Sequence, residues 1–252
     1  MPRFTPFALV ACTLIAALAA ATTPARADEP KVYLTWGAPY GQPGARDQVQ
    51  VTNDSTRVDT LYLSFDPNDF APAFVGLTAG LYFSAQAGDS LGPFWSFARD
   101  GVNPGSLRVD FDVTPYQAIS PWKSTGMGFP KYERLAGGGR LTFIYAVPSD
   151  AGVPLQAGKV YALGRVYISH RRATLAGHTQ PTCIEWRDAD FSLSPETSAQ
   201  TKGAGKSTTA WNSPDGKACA GRGVQSSAAP ADSASGKAKP PAKPVKGSRK
   251  TS

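Results

Sequence analysis

A four-residue segment of this sequence has the composition of a hydrolase motif. Residues 88–91 read Gly-Asp-Ser-Leu, and in the esterases that carry this motif the Ser is the nucleophile. A catalytic Ser needs a base that accepts its proton and an acid that orients the base. Those esterases carry the base in an Asp-x-x-His segment, but neither His170 nor His178 has Asp three residues earlier. We therefore predict that Ser90 lies in a turn, where its hydroxyl bonds locally, and that the protein is not an enzyme.

Three other patterns that could support chemistry are incomplete. Residues 203–208 end like a phosphate-binding loop, but Gln200 stands where that motif requires its first Gly. Asp110 and Asp112 alternate along a predicted strand, so they share its solvent face rather than form a catalytic pair. The two His and the two Cys of the mature chain lack the spacing of a zinc finger or ribbon. The sequence thus predicts no metal and no cofactor.

The first 27 residues have the features of a secretory signal peptide. A positive start is followed by an apolar run of 15 residues and by the Ala-x-Ala pattern of residues 25–27. The segment around Cys12 resembles a bacterial lipobox, which leaves lipidation of Cys12 open. No second apolar run of this kind follows, so we predict no membrane span. The expected location is outside the cell or in the periplasm.

The charge of the chain is unevenly distributed. Residues 28–196 contain 14 Lys and Arg against 17 Asp and Glu, whereas residues 197–252 contain 10 against 2. The net charge of +7 therefore comes from the C-terminal segment, and a basic face for nucleic acid is not expected. This segment is rich in Lys, Pro, Ser and Ala, so we predict a mostly disordered tail over residues 197–252.

Cys183 and Cys219 are the only cysteines left after removal of the leader. Two cysteines in an exported protein are expected to form one disulfide. This bond would hold a patch at residues 211–219 on the folded domain, although the surrounding segment has the composition of a tail.

The body of the chain, residues 28–196, is predicted to consist of strands and turns. Apolar residues alternate in 59–66, 106–112 and 140–147, and Pro- and Gly-rich turns separate the segments. About eight or nine strands indicate an all-β fold, an antiparallel β-sandwich of immunoglobulin-like or jelly-roll type. The predicted core-facing residues are Leu61, Leu63, Phe65, Leu107, Val109, Phe111, Leu141, Phe143 and Tyr145.

Several segments of the body resemble cohesin-type domains. A Pro-Gly turn opens residues 43–53, which end in Asn, and a strand closing in Phe-Asp-Pro follows at 59–68. Residues 139–147 and 153–166 resemble two later segments of that family. The resemblance implies a jelly-roll sandwich, close in fold to carbohydrate-binding modules, and a dockerin-like protein partner. The long region 86–135 departs from the family pattern.

That region contains the candidate binding residues, which are Phe94, Trp95, Tyr116, Trp122 and Tyr132. Aromatic side chains on loops can form a platform for sugar rings or for a protein partner. The alternative is that they cap the ends of the core. We predict a secreted, non-catalytic binding module with a protein partner. A polysaccharide-binding module and a structural envelope protein are the second and third alternatives.

Overall fold

The predicted strands are present, and turns or short 3-10 segments connect them. The computed structural model describes residues 29–68, 71–86, 89–123, 125–193, 197–201 and 205–220. The predicted signal peptide, Cys12 and residues 221–252 lie outside the described residues. The strands are β1 (Lys31–Trp36), β2 (Gln48–Val49), β3 (Val58–Asp66), β4 (Ala71–Ala85), β5 (Leu107–Asp110), β6 (Met127–Leu135), β7 (Gly138–Ala146), β8 (Val153–Leu155), β9 (Tyr161–Ser169), β10 (Thr182–Leu193), β11 (Thr197–Thr201), β12 (Gly205–Lys206) and β13 (Thr208–Trp211).

These strands form two sheets. The first has the order β12-β1-β3-β9-β5, and the second has the order β2-β13-β10-β4-β7-β6, with β11 beside β10 and β8 beside β4. Pairing is antiparallel except between β1 and β12 and between β2 and β13. The predicted all-β sandwich is confirmed. The described residues contain more strands than the eight or nine predicted, because β6, β8 and the short C-terminal strands β11, β12 and β13 were not foreseen.

The core lies between the sheets and follows the predicted alternation. Successive side chains of a strand point to opposite faces, so the apolar residues of β3 and β7 meet in one layer. The predicted residues of β3 and β7 are buried: Leu61, Leu63, Phe65, Leu141, Phe143 and Tyr145. Leu107, Val109 and Phe111 pack against this core but are only half-buried. Full burial was therefore the wrong expectation for them, because β5 is an edge strand.

The composition suggested that the sandwich ends at residue 196, but the fold continues beyond that residue. β13 lies between β2 and β10 in the second sheet, and Trp211 is fully buried. The predicted Cys183–Cys219 disulfide is present, with the two Cα atoms 5.0 Å apart. A tail-like composition is compatible with strand pairing here because sheet hydrogen bonds use the backbone, while one large aromatic residue supplies the apolar contact.

Replacing Phe143 with Ala should lower the free energy of unfolding by about 3–5 kcal/mol, because the change leaves a cavity in a packed core. Ile144→Ala is the matched control, since Ile144 lies next along β7 but faces solvent. It should change stability by about 0.5 kcal/mol or less. Urea unfolding followed by tryptophan fluorescence measures both, and equal effects would contradict the assigned core face.

Replacing Cys183 and Cys219 together with Ser should lower the free energy of unfolding by about 3–4 kcal/mol, because the open chain gains entropy in the unfolded state. The bond closes a loop with a sequence separation of 36. Unfolding of the reduced and oxidised wild type provides an independent comparison. An unchanged midpoint in both comparisons would show that the bond does not stabilise the fold.

Candidate functional site

The predicted binding aromatics do not form one exposed platform. Phe94 and Trp95 are fully buried, and Trp122 is only 8% exposed. Tyr116 and Tyr132 are half-buried. The burial of Phe94 and Trp95 agrees with the alternative that these residues cap the core. The hydrophobic effect drives large apolar rings at the end of a sandwich between the sheets.

The polar atoms of these rings fasten parts of the 86–135 region to each other and to the rest of the domain. Trp95 Nε1 donates a hydrogen bond to the carbonyl of Gly177 at 3.0 Å, and Tyr132 Oη donates to the carbonyl of Trp95 at 2.6 Å. Trp122 Nε1 donates to the carbonyl of Leu163 in β9 at 2.6 Å. Trp122 therefore joins its loop to β9, Tyr132 joins β6 to the loop of Trp95, and Trp95 joins that loop to the one containing Gly177. These bonds explain why a segment rich in Gly and Pro has a defined course.

Ser90 lies on an exposed loop rather than in a catalytic centre. The Gln180 side chain holds this loop: Nε2 donates to the Ser90 carbonyl at 2.9 Å, and Oε1 accepts from the Gly92 amide at 2.9 Å. The Ser90 hydroxyl forms no hydrogen bond to another residue that the structure describes. The predicted local bond of this hydroxyl is thus wrong, because the loop is closed by a distant side chain instead.

The two His residues lie in a buried hydrogen-bonded chain. Asp59 Oδ2 is 2.9 Å from His170 Nε2, and His170 Nδ1 is 2.9 Å from His178 Nε2. Both ring nitrogens of His170 are therefore engaged, Nε2 with Asp59 and Nδ1 with His178. Arg57 completes the chain through its contact of 2.7 Å with Asp59 Oδ1. The sequence alone does not indicate this hydrogen-bonded network, because Asp59 and His170 are far apart along it.

Burial determines the charge of His178 in this hydrogen-bonded network. His178 is 1% exposed, and its Nδ1 has no hydrogen-bond partner among the described residues. Burial, together with the nearby His170 and Arg57, lowers the pKa of His178 to about 4, although Asp59 opposes the shift. The ring therefore stays neutral near pH 7. We assign this hydrogen-bonded network a structural role, since its buried side chains fill the interior next to Phe94.

The open edge of the sandwich contains a groove between β5 and β6. The core-facing positions of β6 include Gly128 and Pro130. The Phe111 and Tyr145 rings lie so close to Gly128 that a Cβ there would approach them to 2.8 and 2.9 Å. A cavity of about 650 Å³ lies on one side, lined by Phe111, Asp112, Trp122 and their neighbours. A second cavity of about 520 Å³ shares Pro130 and reaches Leu107 and Tyr132. Of the predicted aromatics, Trp122 and Tyr132 thus line the groove.

The outer face of β6 and β7 presents an exposed apolar patch. Met127 is 72% exposed, Phe129 66% and Ile144 47%. Phe129 and Ile144 are direct cross-strand neighbours, so their side chains lie side by side. We call these three residues the outer patch. Its rim is polar, because Thr142 and the Lys131–Glu133 ion pair lie next to it on the same face.

The part of the chain that the structure describes holds no cluster of three or more metal-ligating side chains. In the same residues, no helix has both the length and the apolar character needed to cross a membrane.

No protein-family model matches the chain, and no curated protein matches it. Among solved structures, the chain is similar to the second type II cohesin module of the ScaA scaffoldin of Acetivibrio cellulolyticus. The TM-score is 0.39 at 7% identity, over 75% of this chain and 99% of that one. It is also similar to a CBM3 of Hungateiclostridium clariflavum, with a TM-score of 0.28 at 10% identity, over 69% and 98%. The expected resemblance to cohesin and carbohydrate-binding modules is thus found among solved structures.

Acidification should destabilise the fold between about pH 6.5 and pH 4. The folded state keeps His178 neutral down to about pH 4, whereas an unfolded His takes up a proton near pH 6.5. The unfolded state therefore binds more protons in this range, and the free energy of unfolding falls as the pH falls.

Urea unfolding at pH 7.5, 6 and 5 measures this dependence. His178→Gln keeps a side-chain donor but cannot titrate, so its stability should decrease less over the same range. An equal decrease in both proteins would show that other groups cause the pH dependence.

Proposed function

We propose that this protein is a secreted, non-catalytic module that binds a protein partner through the outer patch. The observation that supports this most is the side-by-side exposure of Met127, Phe129 and Ile144 on a regular sheet face. Single exposed apolar residues are common, but contiguous ones surrounded by polar residues are typical of protein interfaces. Met and Phe are also among the residues enriched at such interfaces.

The geometry of the patch favours recognition of another folded surface. β6 and β7 hold the three side chains on one face of a paired ladder, so little backbone entropy is lost when a partner binds. The flanking Lys131, Glu133 and Arg140 provide polar groups at the rim. The disulfide and the predicted signal peptide support an extracytoplasmic location, where the bond would persist.

A non-enzymatic role agrees with the surroundings of the candidate nucleophile. Ser90 is exposed, whereas His170 and His178 are buried and hydrogen-bonded to each other and to Asp59. A base must reach the proton that it abstracts. Binding is therefore the activity that we assign to this module.

Capture of proteins from the culture medium on immobilised wild-type protein tests the proposal. Phe129→Ser with Ile144→Ser should lose the captured partner, because the change removes the apolar centre of the interface. Interface centres of this kind contribute about 2 kcal/mol or more per residue. Val102→Ser is the matched control, since Val102 is an exposed apolar residue in a separate loop. Equal capture by all three proteins would exclude the outer patch as the binding surface.

A further inference from the structure

The free edge of β5 offers unpaired backbone groups to the groove. β9 is the partner of β5 among the described strands. The Ser169 amide donates to the Ser106 carbonyl at 2.8 Å. In an antiparallel pair the direction of the backbone groups alternates along the strand. Arg108 and Asp110 therefore turn their N–H and C=O groups towards β9, while Leu107 and Val109 turn theirs towards the groove.

The side chains along this edge are also incompletely covered. Leu107, Val109 and Phe111 face the core, yet each remains half-buried. Phe111 already stacks on Tyr145, with ring centroids 4.1 Å apart, and packs against Gly128. The less covered part of the edge is therefore at Leu107 and Val109. The two cavities, of about 650 and 520 Å³, are thus bordered by apolar side chains and by free backbone donors and acceptors.

We propose that the groove binds an extended segment of a partner protein as an additional antiparallel strand on β5. Strand addition needs an unpaired edge with alternating apolar contacts, and β5 has both. Apolar side chains at every second position of the segment would cover Leu107 and Val109. The same residues of the segment would exchange backbone hydrogen bonds with Leu107 and Val109, because opposed residues of a hydrogen-bonded pair place their side chains on one face.

Charge at the end of the groove indicates the direction and composition of the segment. The carboxylates of Asp110 and Asp112 line this end together with one ammonium group, that of Lys123. Asp110 lies 3.5 Å from Arg165, whereas Asp112 accepts hydrogen bonds from Thr114 and Gln117 without an ion pair among the described residues. These bonds lower the pKa of Asp112. An antiparallel segment begins at this end, so a Lys or Arg at its N-terminal end would complement the carboxylate.

The groove at β5 and the outer patch share only the class of partner that we propose for them, which is a protein. The outer patch lies on the other face of β6, and a protein can use either surface alone.

A synthetic peptide, Lys-Val-Thr-Val-Thr-Val-Thr with an N-terminal fluorophore, tests strand addition by fluorescence anisotropy. The parent peptide should bind saturably to the wild-type protein. N-methylation of the first two Val residues should weaken binding by about tenfold or more, because it removes two backbone hydrogen bonds to β5. N-methylation of the first two Thr residues should leave binding unchanged, since those N–H groups point away from β5.

Two protein variants complete the test. Val109→Pro removes a free N–H while sparing the ladder with β9, so it should abolish binding. Phe129→Ser with Ile144→Ser should bind the peptide normally, which separates this inference from the proposed function.

The peptide measurements test the proposal independently of any protein variant. Absence of saturable binding by the parent peptide would refute it, and so would equal binding of both methylated peptides. Retardation of the protein in gels containing a soluble polysaccharide, together with loss of peptide binding there, would assign the groove to a sugar ligand instead.

Discussion

Trp211 connects the parts of this domain that the chain sequence keeps apart. Its ring centroid lies 5.1 Å from His170, 5.3 Å from Trp95, 5.8 Å from Trp36 and 5.9 Å from Phe94. Its Nε1 donates to the carbonyl of His178 at 2.8 Å. Because these partners come from β1, from the end of β9 and from two loops, the position of β13 determines the packing at this end of the sandwich. The nearby disulfide keeps β13 on β10.

The same interior explains how the loops at this end of the sandwich are held. The His178 side chain fills space beneath the loop that contains Phe94, whose ring lies 4.8 Å from the imidazole. The chain from Arg57 through Asp59 and His170 to His178 satisfies polar groups that would otherwise be costly to bury. A motif that suggests a nucleophile is thus located above residues that stabilise the fold.

β5 and β6 are the edge strands on the opposite side of the sandwich, and the exposed residues Met127, Phe129 and Ile144 lie near this edge. β5 and β6 each lack a partner on one side among the described strands. Pro130 protects part of β6 from pairing with another chain, since Pro lacks the N–H that a ladder requires. No such residue protects β5. The packing around Trp211 thus maintains the fold at one end of the domain. The exposed apolar residues lie at the other side, near β5 and β6.

Local patterns in the sequence were sufficient for the all-β class, for the core faces of β3 and β7 and for the disulfide. The sequence also shows, without coordinates, that the motif around Ser90 lacks an Asp-x-x-His segment. Side-chain alternation and residue spacing depend on neighbours along the chain, so they can be read directly.

Contacts between distant segments decided the rest. β6 was missed because Gly128 and Pro130 occupy its core-facing positions while Met127 and Phe129 face solvent, which reverses the usual pattern. The buried positions of Trp95 and Trp211 and the hydrogen bond between Asp59 and His170 depend on residues far away in the sequence. Alternation shows which residues share a face of a strand, but only the packing of the two sheets determines whether that face is covered.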